Sequence, residues 1–285
     1  MSKVYLITGT STGFGRALAE AALERGDRVV ASARRPDALE DLARRFPDSA
    51  LAVALDVTDD AQRKAAFAAA LERFGRIDVL VNNAGRGSLG AAEEFSEAQL
   101  RAQMEVNFFG AAAMMREALP ILRRQGGGHI LNITSIGGRV GYRTFAPYCA
   151  SKFALEGYSE SVADEVADFG VKITIVEPGA FRTEFAGDAN MRPERSIAEY
   201  EPIVEPLRQY LYGGAGRQPG DPRKAAQAMI AAVESENPPL RLLLGVDAQD
   251  LWRQKRAAMD AEDAAWSDAG AATAFEGESA GAIGG

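Results

Sequence analysis

Short apolar runs alternate with longer amphipathic stretches from the first residues of the chain onward. Val4–Ile7, Arg28–Ala33, Leu51–Leu55, Val79–Val81, His129–Thr134, Lys172–Val176 and Leu240–Leu244 read as strands. Each is short, and most are rich in Val, Ile or Leu, as strands covered on both faces should be. Between them Gly15–Arg25, Pro36–Arg45, Asp60–Phe74, Ser96–Arg124, Tyr148–Asp168 and Pro222–Glu234 carry helical patterns. Strand–helix–strand alternation implies a parallel sheet with helices on both faces, and right-handed crossovers make it a doubly wound, Rossmann-like α/β fold. One domain is expected over residues 1–266.

Two segments break the alternation. Residues 181–220 contain Pro193, Pro202, Pro206 and Pro219 with Gly213, Gly214 and Gly216, too long and irregular for an ordinary connection. This segment is either a substrate lid or a disordered loop, and its place beside a strand end favours the lid. After Ser267 the chain is mostly Ala, Gly, Ser, Glu and Asp, which bury too little surface to offset ordering entropy. A disordered acidic tail is therefore expected over 267–285.

Composition narrows the function classes. The 285 residues include one Cys (Cys149) and one His (His129), which rules out an intramolecular disulfide and argues against a clustered zinc site. The net charge of −8 argues against a nucleic-acid partner, which would favour a basic surface. Residues 260–285 carry six acids and no base, so the remaining chain holds only −2 and its near-neutral body can receive an anionic ligand. No apolar run approaches the ~18 residues of a membrane span, and Val4–Ile7 is too short for a signal-peptide core. A soluble cytoplasmic protein is expected.

The first strand runs into Thr8-Gly9-Thr10-Ser11-Thr12-Gly13-Phe14-Gly15, and a helix follows at once. Glycines allow a tight turn and close approach of a pyrophosphate, whose charge the helix N-terminus stabilises. The spacing is G-x-x-x-G-x-G, not the G-x-G-x-x-G of the usual dinucleotide fingerprint. Its position at the first βα junction nevertheless points to a dinucleotide. NAD-binding domains place an acid ~20 residues beyond the glycines for the ribose 2′-hydroxyl. Here Ala33 occupies that place and Arg34 follows, and a planar guanidinium suits a 2′-phosphate, so NADP(H) is the expected cofactor.

Tyr148 and Lys152 are spaced i,i+4 near the start of a helical stretch, so both project from one face. A nearby ammonium stabilises a phenolate and would lower the tyrosine pKa towards the range of efficient acid–base work. Ser135 follows the strand His129–Thr134 at the end where open α/β sheets bind ligands, and its hydroxyl could donate to a carbonyl oxygen. His129 and Cys149 read as structural residues, and Trp252 and Trp266 as packing anchors of the C-terminal segment.

In sequence, the Thr8–Gly15 loop, Asn82-Asn83-Ala84-Gly85, Asn107, Ser135, Tyr148-x-x-x-Lys152 and Pro178-Gly179 closely resemble the short-chain dehydrogenase/reductase family over about residues 3–185. The pattern is most similar to its hydroxysteroid-dehydrogenase-like branch. The resemblance implies that Tyr148 donates or accepts the proton, Lys152 binds the nicotinamide ribose and lowers the tyrosine pKa, and Ser135 orients the substrate oxygen. Asn107 would hold a water linking Lys152 to solvent. By the same resemblance Gly9, Ser11, Thr12, Gly13, Phe14 and Gly15 hold the phosphates, and Asp56 and Val57 contact the adenine. Asn83, Ala84 and Gly85 line the cleft, while Pro178, Gly179, Phe181 and Thr183 border the nicotinamide. Phe14 stands where Ile is commoner and Cys149 where Ser is usual, and neither change removes a required donor or charge.

The expected activity is NADP(H)-dependent hydride transfer between nicotinamide and a carbonyl or secondary alcohol, without metal. The 181–220 segment's apolar residues suit a hydrophobic ketone. An NAD-linked alcohol dehydrogenase is the rival among enzymes, and a cofactor-sensing binding protein of the same fold is the rival outside them. Small and apolar residues along Ser96–Arg124 and Tyr148–Asp168 suggest a homodimer or homotetramer.

Overall fold

In the computed structural model, which describes residues 2–187, 190–214 and 216–275, every apolar run read from the sequence is a strand. The strands are β1 (Val4–Ile7), β2 (Arg28–Ala33), β3 (Ala50–Ala54), β4 (Val79–Asn82), β5 (Gly128–Ile133), β6 (Val171–Pro178) and β7 (Arg241–Leu244). They form one sheet in the order β3-β2-β1-β4-β5-β6-β7, with every neighbouring pair parallel. This is the doubly wound, Rossmann-like α/β architecture expected from the pattern. The connections from β1 move outward one way and those from β4 the other, which opens a crevice at the carboxyl ends of β1 and β4.

Successive strand residues face opposite sides, and each side has its own core. Tyr5, Ile7, Val29, Ala31, Val81 and Leu131 join α1 (Gly13–Glu24) and α8 (Pro222–Glu234) in one apolar cluster. On the other face Leu6, Val30, Leu80 and Ile130 pack with α3 (Asp60–Phe74), α5 (Gly110–Gln125) and α6 (Ala146–Val166). A short α2 (Glu40–Arg45) completes the first half.

The stretch 96–124 is two helices in line, α4 (Glu97–Met104) and α5, joined by a π turn at Glu105–Phe109. Within 181–220 the chain forms α7 (Glu201–Gly213). Its prolines disguised it, although Pro202 stands in the first turn, where the backbone N–H has no helical partner to lose. A further helix, α9 (Val246–Ala271), passes residue 266, where the sequence reading began its tail. Ser267–Ala271 are therefore helical, and residues 276–285 of that expected tail lie outside the described residues. Among the described residues no helix is long and apolar enough to cross a membrane.

Candidate active site

The crevice is built first from backbone. The Thr8 hydroxyl, just past β1, donates to Val81 O and accepts the N–H groups of Asn83 and Ala84, both at 2.9 Å. Asn83 returns its side-chain amide to Thr8 O at 2.8 Å and Gly9 O at 2.9 Å, tying the ends of β1 and β4 together. Gly9 and Gly13 adopt positive φ (68° and 59°), which lets the loop double back into α1. At Gly15 a Cβ would stand 2.5 Å from both Asn83 Nδ2 and Gly9 O, so only glycine fits that approach.

The start of α1 has the chemistry of an anion cradle. Thr12 makes no side-chain capping bond, and the first turn holds no acid. The Gly13 N–H instead donates to Glu184 Oε2 at 3.1 Å, a carboxylate standing where a phosphate oxygen would be welcome. Ser11 and Thr12 are exposed beside it. Arg34 extends exposed from β2 next to buried Ala33, and its field helps hold the Asp56 carboxyl below its usual value, together with Thr58 hydrogen bonds against the opposing effect of burial. Val57 turns inward: a Cβ on Gly110 would touch its Cγ2 at 2.6 Å, so only its backbone faces outward contacts. These residues fit an anionic dinucleotide.

Four polar side chains converge further along the crevice. Tyr148 and Lys152 lie buried on one face of α6, and Ser135 follows β5. A Cβ on Gly137 would lie 3.2 Å from Tyr148 Cε1 and 3.3 Å from Ser135 Oγ, so both hydroxyl-bearing residues border this one glycine. Lys152 Nζ donates to Ile133 O at 2.8 Å. A Cβ on Gly85 would meet Asn107 Oδ1 at 3.3 Å and Lys152 Nζ at 3.6 Å, which joins the second pair. Asn107 sits in the π turn, whose extra residue per turn is a frequent mark of functional sites. It accepts the Arg86 N–H at 2.9 Å and donates to Arg86 O at 2.9 Å and Ser151 Oγ at 3.0 Å.

Burial opposes the lowering of the tyrosine pKa that the resemblance assigns to Lys152. Burial raises the Tyr148 phenol well above its ordinary value, opposed only by a hydrogen bond with Ser135. Lys152 Nζ is 5.8 Å from the Tyr148 ring centroid, and burial lowers its own pKa to about 8, against a raising effect of Glu156. Burial thus favours the protonated phenol at Tyr148 and disfavours the ammonium at Lys152. Desolvation is the largest influence on each because both groups are enclosed.

The chain after β6 covers this arrangement. Pro178 is buried at the strand end, Phe181 packs edge-on against Phe14 at 5.0 Å, and Thr183 lies against Gly13. Phe185 stands 5.3 Å from the Tyr148 ring, with Phe145 at 6.5 Å on another side. His129 lies at the opposite, amino-terminal end of the sheet, buried and bonded through Nε2 to Thr174 Oγ1 at 2.9 Å. Cys149 is buried as expected of a packing residue. Trp252 stacks under Arg139 at 3.4 Å, but among the described residues Trp266 is 70% exposed and does not serve as a buried anchor. Reading from sequence missed Gln103 and Ser151, which support Asn107 and its Arg86 partner, and also Glu184. Ser151 lies inside the Tyr148–Lys152 spacing and was open to detection; a lone exposed glutamate was not.

Residues 3–194 match the family described as short chain dehydrogenase, and the chain belongs to that family of oxidoreductases. Among curated relatives it is 40% identical to Oxidoreductase BOA17 of Botryotinia fuckeliana (strain B05.10), over 96% of this chain and 100% of that protein. It is 35% identical to the 3-ketodihydrosphingosine reductase of Bacteroides thetaiotaomicron, over 89% of this chain and 92% of the relative. A short-chain dehydrogenase structure from Streptomyces avermitilis superposes with a TM-score of 0.90 at 47% identity, covering 96% of this chain and 100% of that one. A Burkholderia phymatum relative in complex with NAD has a TM-score of 0.82 at 26% identity, covering 92% and 95% of the two chains. A Burkholderia cenocepacia relative in complex with NADP has a TM-score of 0.71 at 30% identity, covering 92% and 96%.

Proposed function

We propose that the protein is an NADP(H)-dependent reductase of hydrophobic ketones, working in reverse as a secondary-alcohol dehydrogenase. The observation that carries this reading is the shared border of Tyr148 and Ser135 at Gly137, with Lys152 buried one helical turn along. A nicotinamide dinucleotide supplies or accepts the hydride when bound. Gly9, Ser11, Thr12, Gly13, Phe14 and Gly15 would hold its phosphates, and Arg34 its 2′-phosphate. Asp56 and the backbone of Val57 would meet the adenine, Asn83, Ala84 and Gly85 the cleft wall, and Pro178, Gly179, Phe181 and Thr183 the nicotinamide end.

In reduction the Ser135 hydroxyl donates to the substrate carbonyl oxygen and polarises it as negative charge develops. Tyr148, held protonated by burial, gives its phenolic proton to the same oxygen. Lys152 keeps a positive charge within reach of the phenolate that remains, and Asn107 holds the Gly85–Arg86 backbone beside it. Phe145 and Phe185 around Tyr148 give the substrate an apolar surface, in keeping with the 3-ketodihydrosphingosine named for the Bacteroides relative. The 181–220 segment is then the substrate lid, within a single domain. Exposed Leu100, Phe109 and Phe153, on α4, the π turn and α6, support association into a homodimer or homotetramer, which light scattering would detect.

The cofactor half is tested by Arg34→Ala. Losing a charge-assisted contact should raise the NADPH KM about 10- to 100-fold and leave the NADH KM nearly unchanged. Equal effects on both would overturn the assignment to NADP(H). A panel of aliphatic, aromatic and polycyclic ketones, followed by NADPH absorbance, tests the substrate class; turnover confined to small polar aldehydes would overturn it.

A further inference from the structure

The family match ends at residue 194, yet a side chain from far beyond it closes on the loop that follows β6. Asp247 lies in the first turn of α9, and its Oδ2 accepts the Ala180 N–H at 2.7 Å. A Cβ on Gly179 would fall 2.4 Å from Asp247 Oδ1, and one on Gly245 would fall 2.5 Å from the same atom, so two glycines make room for this carboxylate. The neighbouring Gly179 N–H donates to Leu244 O at 2.8 Å, a backbone bond that any residue at 244 would accept. Ala180 O also accepts the Gly220 N–H at 3.0 Å, and Ser135 Oγ donates to Pro178 O at 3.5 Å, but the Asp247 bond is the one that a side chain makes to the backbone of Ala180 itself. Immediately downstream, Phe181 meets Phe14 and Thr183 meets Gly13 of the phosphate loop. Whatever sets the position of Ala180 therefore sets where Phe181 and Thr183 stand.

We propose that Asp247 is a positioning residue for the nicotinamide half of the cofactor. By accepting the Ala180 N–H and filling the space beside Gly179, it holds the stretch from Pro178 to Thr183 against the phosphate loop. The inference rests on the dinucleotide reading given above. A role confined to general stability would weaken every ligand alike. A role in positioning this loop affects only ligands that reach it.

The test is binding, read by fluorescence titration, of NADPH and of 2′,5′-ADP, which carries the adenine end without nicotinamide. Asp247→Ala should weaken NADPH about tenfold or more, the scale of one charge-assisted hydrogen bond, and leave 2′,5′-ADP unchanged. Asp247→Asn keeps an acceptor oxygen of the same shape and should recover most of the loss. Where the alanine variant fails to fold, Asp247→Ser, with a shorter acceptor, serves the same comparison. Equal weakening of both ligands, no weakening of either, or an asparagine variant as poor as alanine would each overturn the role of Asp247. A native chain that binds NADH instead is compared with 5′-AMP in the same way. A native chain that binds no dinucleotide overturns the cofactor reading itself, and the inference with it.

Discussion

The region from β1 to the end of β6 and the region after it are built on different principles. In the first, Ser135, Tyr148, Lys152 and Asn107 stand on helices, a π turn or strand ends, with Tyr148, Lys152 and Asn107 buried and bonded or packed to backbone around them. In the second, half-buried Phe181 and Thr183 and exposed Glu184 and Phe185 lie across that arrangement, and α9 is exposed along most of its length. Groups that must meet reacting atoms within fractions of an ångström occupy the rigid part. Groups that must let a ligand in and out occupy the part with fewer buried contacts. On this account, changes to the buried polar groups of the first region act on turnover or global stability, whereas its exposed phosphate loop and Arg34, like the segment after β6, act on binding.

The largest expected effect comes from Lys152→Met, which removes the buried ammonium. Turnover with NADPH should fall about 10²- to 10⁴-fold in steady-state assays, the scale of a lost acid–base partner. A small change would break the division between the regions. His129→Gln tests the far end of the first region, where burial lowers the imidazole pKa to about 4. The unfolded chain binds that proton from about pH 6.5 downward and the folded chain only near 4, so stability falls as pH drops through this window. The variant should flatten that loss, worth about 3 kcal/mol, in urea titrations at pH 7 and pH 4, with activity kept. A profile as steep as the native one would contradict it.

Smaller effects belong to the second region. Glu184→Gln removes the carboxylate that competes for the Gly13 N–H, so cofactor should bind about two- to fivefold tighter by titration, the range of a charge at a helix N-terminus. Weaker binding would show that Glu184 assists the cofactor. Trp266→Ala, at a side chain 70% exposed, should change thermal stability least. A shift beyond about 0.5 kcal/mol would reveal a contact outside the described residues.

The two regions also differed in how legible they were. All seven strands were readable because buried parallel strands must be short Val/Ile/Leu runs, and the observed bounds shift by at most two residues. Tyr148, Lys152, Ser135 and Asn107 were readable because their order along the chain is specific, though the π turn carrying Asn107 leaves no mark in residue pattern. Past Gly179, α8 and β7 remain readable, but the other elements are hidden for separate physical reasons. Pro202 and Pro206 disguised α7, and α9, rich in Ala and Asp, has no apolar stripe to betray it. Asp247 resembles any acid in a first helical turn until the fold sets it against Gly179. Spacing shows a cation near Tyr148 and says nothing of how deeply both groups are buried, which is what raises the phenol.

The account stands most directly on Tyr148 as the proton donor. Tyr148→Phe keeps the ring that packs on Phe145 and Phe185 and deletes only the hydroxyl. Single-turnover oxidation of NADPH with a hydrophobic ketone should slow by about 10³-fold or more while NADPH binds as it does to the native chain. Oxidation at a near-native rate in that variant would contradict the account.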